Sequence, residues 1–147
     1  MGLTVEKLVD GTVIDHIEAG KGILVFKILN IDENYEGKVA LVMNVPSKRM
    51  KKKDIVKIAG LHVDEKTANK IALISPKATF NLIEKSKVVE KKKVKLPDIL
   101  VGIAKCPNPV CITNHEKGVE TEFLKSNGNT LRCAYCEKSF ELEEIKV

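Results

Sequence analysis

Cys106-Pro-Asn-Pro-Val-Cys111 and, further on, Cys133-Ala-Tyr-Cys136 hold all four cysteines of the chain. Four residues separate the thiols of the first pair, twenty-one separate the two pairs, and two separate the thiols of the second. Each pair is a short loop that can turn two thiolates toward one point. Four thiolates about 2.3 Å from a metal are what zinc accepts in a closed structural site. The second pair has the usual zinc-knuckle spacing, and the first lies at the long end of the range. Two disulfides would suit a secreted chain, but the start, Met1-Gly-Leu-Thr-Val-Glu-Lys7, is polar and lacks the apolar core of a signal peptide. A redox pair at Cys133 and Cys136 would leave Cys106 and Cys111 unexplained. A catalytic zinc keeps one position open for water, and four thiolates leave none. The reading is one structural zinc ion held by Cys106, Cys111, Cys133 and Cys136.

Around the cysteines, residues 119–124 and 130–133 read as a hairpin turned by Ser126-Asn127-Gly128-Asn129, because Asn-Gly is the strongest short hairpin signal. Residues 140–145 supply a last strand, and 99–103 a short apolar segment. Leu96-Pro97-Asp98 marks the boundary, giving a first domain over 1–97 and a zinc domain over 98–147. A module of about 50 residues cannot hold itself together by burial alone, so metal is its natural staple.

Upstream, β-branched Gly11-Thr-Val-Ile-Asp-His-Ile17 reads as a strand, with a shorter run over 3–9 beside it. Residues 22–31 place Ile23, Phe26 and Leu29 or Asn30 at helical spacing, which suggests a buried helix. A strand over 38–45 is expected to stop at Pro46-Ser47, and another covers 53–61, with Gly60 marking a bulge. Asp64 is a helix N-cap followed by Glu65. That helix runs to about Ile74, with Ala68, Ile71 and Ala72 inward, and Ser75-Pro76 ends it. Residues 78–83 and 87–94 give one or two closing strands. The fold class is α+β, a ferredoxin-like βαββαβ domain followed by a small antiparallel β zinc domain.

Charge separates the two parts. Residues 98–147 hold six basic against eight acidic residues, leaving nineteen against twelve in 1–97. A basic domain points to anionic ligands. One cluster is Lys48-Arg49-Met50-Lys51-Lys52-Lys53, followed by Lys57; the other lies between Lys85 and Lys95. Lys53, Ile55 and Lys57 share a strand face, two ammonium groups flanking an aliphatic side chain, which suits a ligand with phosphates and a flat ring. Asp15 offers an acceptor for sugar hydroxyls, and His16 an imidazole for phosphate oxygens. On charge alone a solvated lysine face is the simpler reading. Adjacent strand positions send Asp15 and His16 to opposite faces, which is poor geometry for a dyad.

Several function classes are excluded or disfavoured. No Gly-x-Ser-x-Gly, His-Glu-x-x-His or phosphate loop is present, so no catalytic residues are assigned. No apolar run spans a bilayer, and a soluble cytoplasmic chain is expected. A zinc-ribbon nucleic-acid-binding factor is the alternative reading. The acidic zinc module has the wrong sign for a phosphate backbone, and aromatics at 4% make no stacking platform.

Gly11-Thr-Val-Ile-Asp-His-Ile17, Asn44-Val-Pro-Ser47, Lys53-Asp-Ile-Val-Lys-Ile58, Ser75-Pro-Lys-Ala-Thr-Phe-Asn81 and Val88-Val-Glu-Lys91 resemble the regulatory chain of aspartate carbamoyltransferase. So do Cys106-Pro-Asn108, Cys111-Ile112 and Cys133-Ala-Tyr-Cys-Glu-Lys138. The blocks keep their order and spacing nearly end to end. The resemblance implies a noncatalytic regulatory subunit in pyrimidine biosynthesis, with an allosteric nucleotide-binding domain and a zinc domain that grips the catalytic chain. It implies regulatory-chain dimers that bridge catalytic trimers in a dodecamer of six chains of each kind. It also implies inhibition by CTP and activation by ATP at a shared site, with UTP assisting, and no nucleic-acid or membrane partner.

Carried over by resemblance, Asp15 binds the ribose and His16 the triphosphate. Lys57 reads base and ribose, Lys91 holds phosphates, and Lys53 and Asn81 line the phosphate side. Val5, Leu8, Val13, Ile83 and Val88 wall the base. The chain departs from the family pattern at Val110, where an asparagine can stand, at Ser86, which replaces an aromatic, and at Lys7, in place of a small residue. These departures bear on which nucleotides the chain prefers.

Overall fold

The β-branched run at Gly11 forms β1 (Gly11–Glu18), the central strand of a five-stranded antiparallel sheet. The computed structural model describes residues 9–147; the expected run over 3–9 lies outside them, apart from Val9. The chain divides into two compact units, Met1–Val94 and Lys95–Val147.

In the first unit β1 is followed by α1 (Gly22–Ile28), β2 (Val39–Ser47), β3 (Lys51–Ala59), α2 (Glu65–Ile74), β4 (Thr79–Glu84) and β5 (Lys87–Lys93). The strands lie in the order β2-β3-β1-β4-β5, each antiparallel to its neighbour. The first four strands and both helices make the ferredoxin-like βαββαβ sandwich, and β5 extends the sheet as a hairpin partner of β4. One sheet face carries Ile14, Ile17, Val56, Ile58 and Phe80. It packs on Val25 of α1 and on Ala68 and Ile71 of α2. Burying each large aliphatic or aromatic side chain here is worth about 1.5–3 kcal/mol, which fixes the inward face of every strand. The alternate residues Val13, Ile55, Lys57, Asn81 and Ile83 therefore turn to the face without helices.

Helix α2 begins as read. The Asp64 carboxylate accepts from the Thr67 N–H at 2.7 Å, and Glu65 stands in the first turn. Replacing Asp64 with Ala is expected to cost about 1 kcal/mol, seen as a lower urea midpoint at unchanged slope.

Three expectations change. Helix α1 stops at Ile28, where the Leu29 N–H closes on the Val25 carbonyl at 3.0 Å and Asn30 turns left-handed (φ 56°). Its inward side is Gly22 and Val25, with Phe26 and Leu29 against the core, and Ile23 is 50% exposed. Gly22 sets that rotation. A Cβ there would lie 2.6 Å from Leu41 Cδ1 and 2.9 Å from Asp54 Oδ2, so only glycine lets the helix sit this close to the sheet. Strand β2 runs through Pro46, which pairs with Lys52. As an edge strand β2 needs no outward N–H there. Gly60 ends β3 in a left-handed turn (φ 73°), donating to the Asp10 carbonyl at 3.0 Å, and makes no bulge.

The second unit is a four-stranded antiparallel sheet in chain order: β6 (Ile99–Val101), β7 (Glu122–Lys125), β8 (Thr130–Cys133) and β9 (Ser139–Glu141). Leu100, Ile103, Phe123, Leu131 and Ile145 are its large buried apolar residues, with Ala104 beside them in the chain. The final strand is shorter than its sequence suggests. After Glu141 the chain enters a 3-10 turn, Leu142–Glu144, anchored by the Leu142 N–H on the Asn129 carbonyl at 2.9 Å, which brings Ile145 inward. Among the described residues no helix is long and apolar enough to cross a membrane.

Candidate functional site

Register brings four of the singled-out residues into one row. Lys57 pairs with Val13, Val13 with Asn81, and Asn81 with Lys91. Direct cross-strand partners share a face, and three strand spacings separate the two lysines by about 14 Å. The basic clusters of β3 and β5 thus flank an aliphatic centre across the face that no helix among the described residues covers. Asn81 is buried, and its side-chain amide donates to the Val13 carbonyl at 3.3 Å. Beside this row, Ile83 pairs with both Gly11 and Val88, giving the apolar end of the face. Val5 and Leu8 lie outside the described residues.

The other end is polar, and a bulge builds it. Ile14 and Ile17 are both fully buried although three residues apart, and the β1–β3 register shifts between them. His16 takes up the extra residue at φ 56°. Asp15 and His16 therefore both lie between two inward anchors, and the expectation that they point to opposite faces fails. The Lys53 ammonium pairs with Asp15 at 3.0 Å. His16 Nδ1 lies 3.0 Å from the Thr79 hydroxyl, and the His16 N–H donates to the Asp15 carboxylate at 2.6 Å. Burial holds the imidazole below its ordinary value, and the charges of Lys53, Arg49 and Lys91 push the same way against Asp15. The ligand-free imidazole is therefore mostly neutral at pH 7, able to accept a proton when an anion arrives.

Sequence reading missed two residues of this region, Thr79 and Asp54, and had Arg49 only as a member of a basic cluster. Thr79 orients His16 and is buried; its place two before Asn81 on one strand was the available signal. Arg49 belongs to the charges around His16. Asp54 is fully buried beneath the site. Its Oδ2 accepts from the N–H groups of Gly20 at 3.0 Å and Gly22 at 2.9 Å, and its Oδ1 from that of Asn44 at 2.9 Å. An acid at an inward position of an apolar strand was the signal for it.

In the second unit the four cysteine sulfurs converge, all within 4.8 Å of one another. Cys106 and Cys136 are 3.7 Å apart, and Cys111 and Cys133 3.8 Å. A tetrahedron with metal–sulfur distances of about 2.3 Å has edges of about 3.8 Å, which these two pairs match, so the four sulfurs are gathered as a tetrathiolate metal site requires. The long first loop is closed by asparagines. Asn114 donates to the carbonyls of Cys106 at 3.0 Å and Asn108 at 2.8 Å, while the Asn108 side chain accepts from the Val110 N–H at 3.2 Å. Burial pushes the Cys106 thiol up to about 12. Burial also raises Cys136, but the Lys138 N–H and the Asn108 side chain outweigh it and bring that thiol down to about 7. Val110 is 78% exposed at the tip of the loop.

Comparison with known proteins matches both units. Residues 3–95 match the family model described as aspartate carbamoyltransferase regulatory chain, allosteric domain, and residues 98–146 the one described as its metal binding domain. A protein of Pyrococcus horikoshii named aspartate carbamoyltransferase regulatory chain is 51% identical over 146 residues, covering 97% of this chain and 95% of that one. A protein of the same name from Methanocaldococcus jannaschii is 51% identical over 138 residues, covering 92% and 91%. Another from Thermococcus gammatolerans is 48% identical over 145 residues, covering 97% and 95%.

Proposed function

The chain belongs to the aspartate carbamoyltransferase regulatory-chain family and is a regulatory rather than a catalytic subunit, and on that footing we propose that its open sheet face senses nucleoside triphosphates while its cysteine module docks on the catalytic chain. The observation that carries the sensing half is the row Lys57–Val13–Asn81–Lys91, cations at both ends of an aliphatic centre. The base lies against Val13, Ile83 and Val88, with Val5 and Leu8 completing the wall. Asp15 takes the ribose, His16 and Lys91 the phosphates, Lys57 the base and ribose, and Lys53 and Asn81 line the phosphate side. CTP inhibits and ATP activates at this shared site, with UTP assisting. The sensing domain covers 1–97 and the metal domain 98–147.

Cys106, Cys111, Cys133 and Cys136 hold one zinc ion, whose role is a structural crosslink that leaves no open coordination position. Regulatory dimers bridge two catalytic trimers in a cytoplasmic dodecamer of six chains of each kind. A nucleotide shifts that assembly only through different affinity for its tense and relaxed states. Opposite responses to CTP and ATP therefore require that the two bases set the strands around the row differently.

Equilibrium dialysis of the chain assembled with its catalytic partner tests this reading. CTP and ATP should compete for one site per regulatory chain, and Lys57→Ala should weaken both by roughly 10- to 100-fold, the loss of one charged hydrogen bond. Absence of nucleotide binding, together with oligonucleotide binding that falls steeply with salt, would instead establish the nucleic-acid reading.

A further inference from the structure

The open face is graded along its strands. Ile83 and Val88 stand at the Gly11 end, and Asp15, His16 and Lys53 at the other. Beyond Lys53 the sheet ends in the β2–β3 hairpin, whose tip between Ser47 and Lys51 carries Lys48, Arg49 and Met50. Arg49 is exposed there. Among the described residues it has neither an ion-pair partner nor a hydrogen-bond acceptor. Its charge still reaches His16 on β1, alongside those of Lys53 from β3 and Lys91 from β5 and against that of Asp15. Lys53 is already engaged by Asp15 at 3.0 Å. Lys48, Lys51 and Lys52 are also exposed at this end, but among the tip residues Arg49 is the one whose charge acts on His16, and it carries a guanidinium, whose planar fork grips phosphate oxygens two at a time.

We propose that Arg49 grips the outermost phosphate of the bound nucleotide from the hairpin tip, so that the site measures phosphate-chain length. The inference rests on the nucleotide reading given above and adds to it a residue and a selectivity. With the base at the Ile83 end, each added phosphate extends toward the tip. A monophosphate stops near His16, and a triphosphate comes within reach of Arg49. Arg49 is exposed and makes no hydrogen bond or ion pair among the described residues, so its removal is expected to leave the fold unchanged.

Titration of CTP, CDP, CMP and inorganic tripolyphosphate into the complete assembly tests this. Arg49→Ala should weaken CTP and tripolyphosphate about tenfold, leave CMP within about twofold, and flatten the rise of affinity with phosphate number. Arg49→Lys should recover part of the loss. Equal weakening of CTP and CMP, or unchanged CTP binding in Arg49→Ala beside a damaged Lys57→Ala, would overturn the role of Arg49 and leave the nucleotide reading standing. If the unaltered assembly bound no CTP, the nucleotide reading would fall. Arg49-dependent binding of tripolyphosphate would then still support the tip as an anion grip, and Arg49-independent binding, or none, would end that too.

Discussion

Stripping the metal from the cysteine cluster, by chelation or by Cys111→Ala, is expected to unfold Lys95–Val147 while β1–β5 stay folded. The apolar core of that unit is small: Leu100, Ile103, Phe123, Leu131 and Ile145 are the large buried residues apart from the cysteines. At about 1.5–3 kcal/mol each they contribute on the order of 10 kcal/mol. A tetrathiolate metal site adds apparent binding energies of about 10–16 kcal/mol, and removing the metal leaves four thiols packed within 4.8 Å of one another without a crosslink. Hydrogen exchange on the full chain reads the outcome. Protection should vanish from β6–β9 and persist in the sheet around β1, and the catalytic partner should separate on a sizing column. A module that stayed protected after metal loss would contradict the staple role.

Asp54→Ala should be the most damaging single substitution in the first unit. The carboxylate is fully buried and accepts three backbone N–H groups, from Gly20, Gly22 and Asn44. Its loss leaves all three without this acceptor, the Gly22 N–H in the buried interior and those of Gly20 and Asn44 in part-buried positions, at up to about 1–3 kcal/mol each. A total near 3–5 kcal/mol is a large share of the 5–15 kcal/mol by which a domain is stable. For a unit of this size that lowers the melting temperature by roughly 15–30 °C. Asp54→Asn keeps an acceptor but turns an NH₂ group toward at least one donor, so an intermediate loss is expected. The same N–H groups start α1 at Gly22 and hold Asn44, which sits in the β2 bulge at φ 59°. Nucleotide response should therefore weaken even where the variant remains folded. Thermal melts read the first effect and CTP titration the second; a change below about 1 kcal/mol would show that the three donors find other partners.

Much of this was legible because strands announce their faces. The alternation Val13, Lys57, Asn81 against Ile14, Val56, Phe80 follows from side-chain period alone, and the β-α-β-β-α-β order follows from where Asp64, Pro76 and the glycine-marked turns fall. The cysteine spacing alone points to the cluster in which the four sulfurs converge. Illegible features depended on close approach or on irregular backbone. Nothing local in Gly11-Thr-Val-Ile-Asp-His-Ile17 indicates that His16 will turn left-handed, because that is imposed by burying both Ile14 and Ile17 against the helices. The rotation of α1 depends on the contact of Gly22 with Leu41 and Asp54, residues far along the chain. Pro46 is a reliable stop signal except on an edge, and edge position is a property of the whole sheet.

The extra residue in β1 also separates what the strand supports from what it is proposed to sense. Ile14 and Ile17 keep their inward places whether one or two residues lie between them, since a strand shortened by one position would simply return to regular pleating. A single codon deletion would therefore erase the Asp15–His16 pair and leave the inward anchors of β1 in place. Descendants that no longer respond to nucleotides would on this view be silent partners rather than misfolded ones, and their telltale mark would be a first strand one residue short.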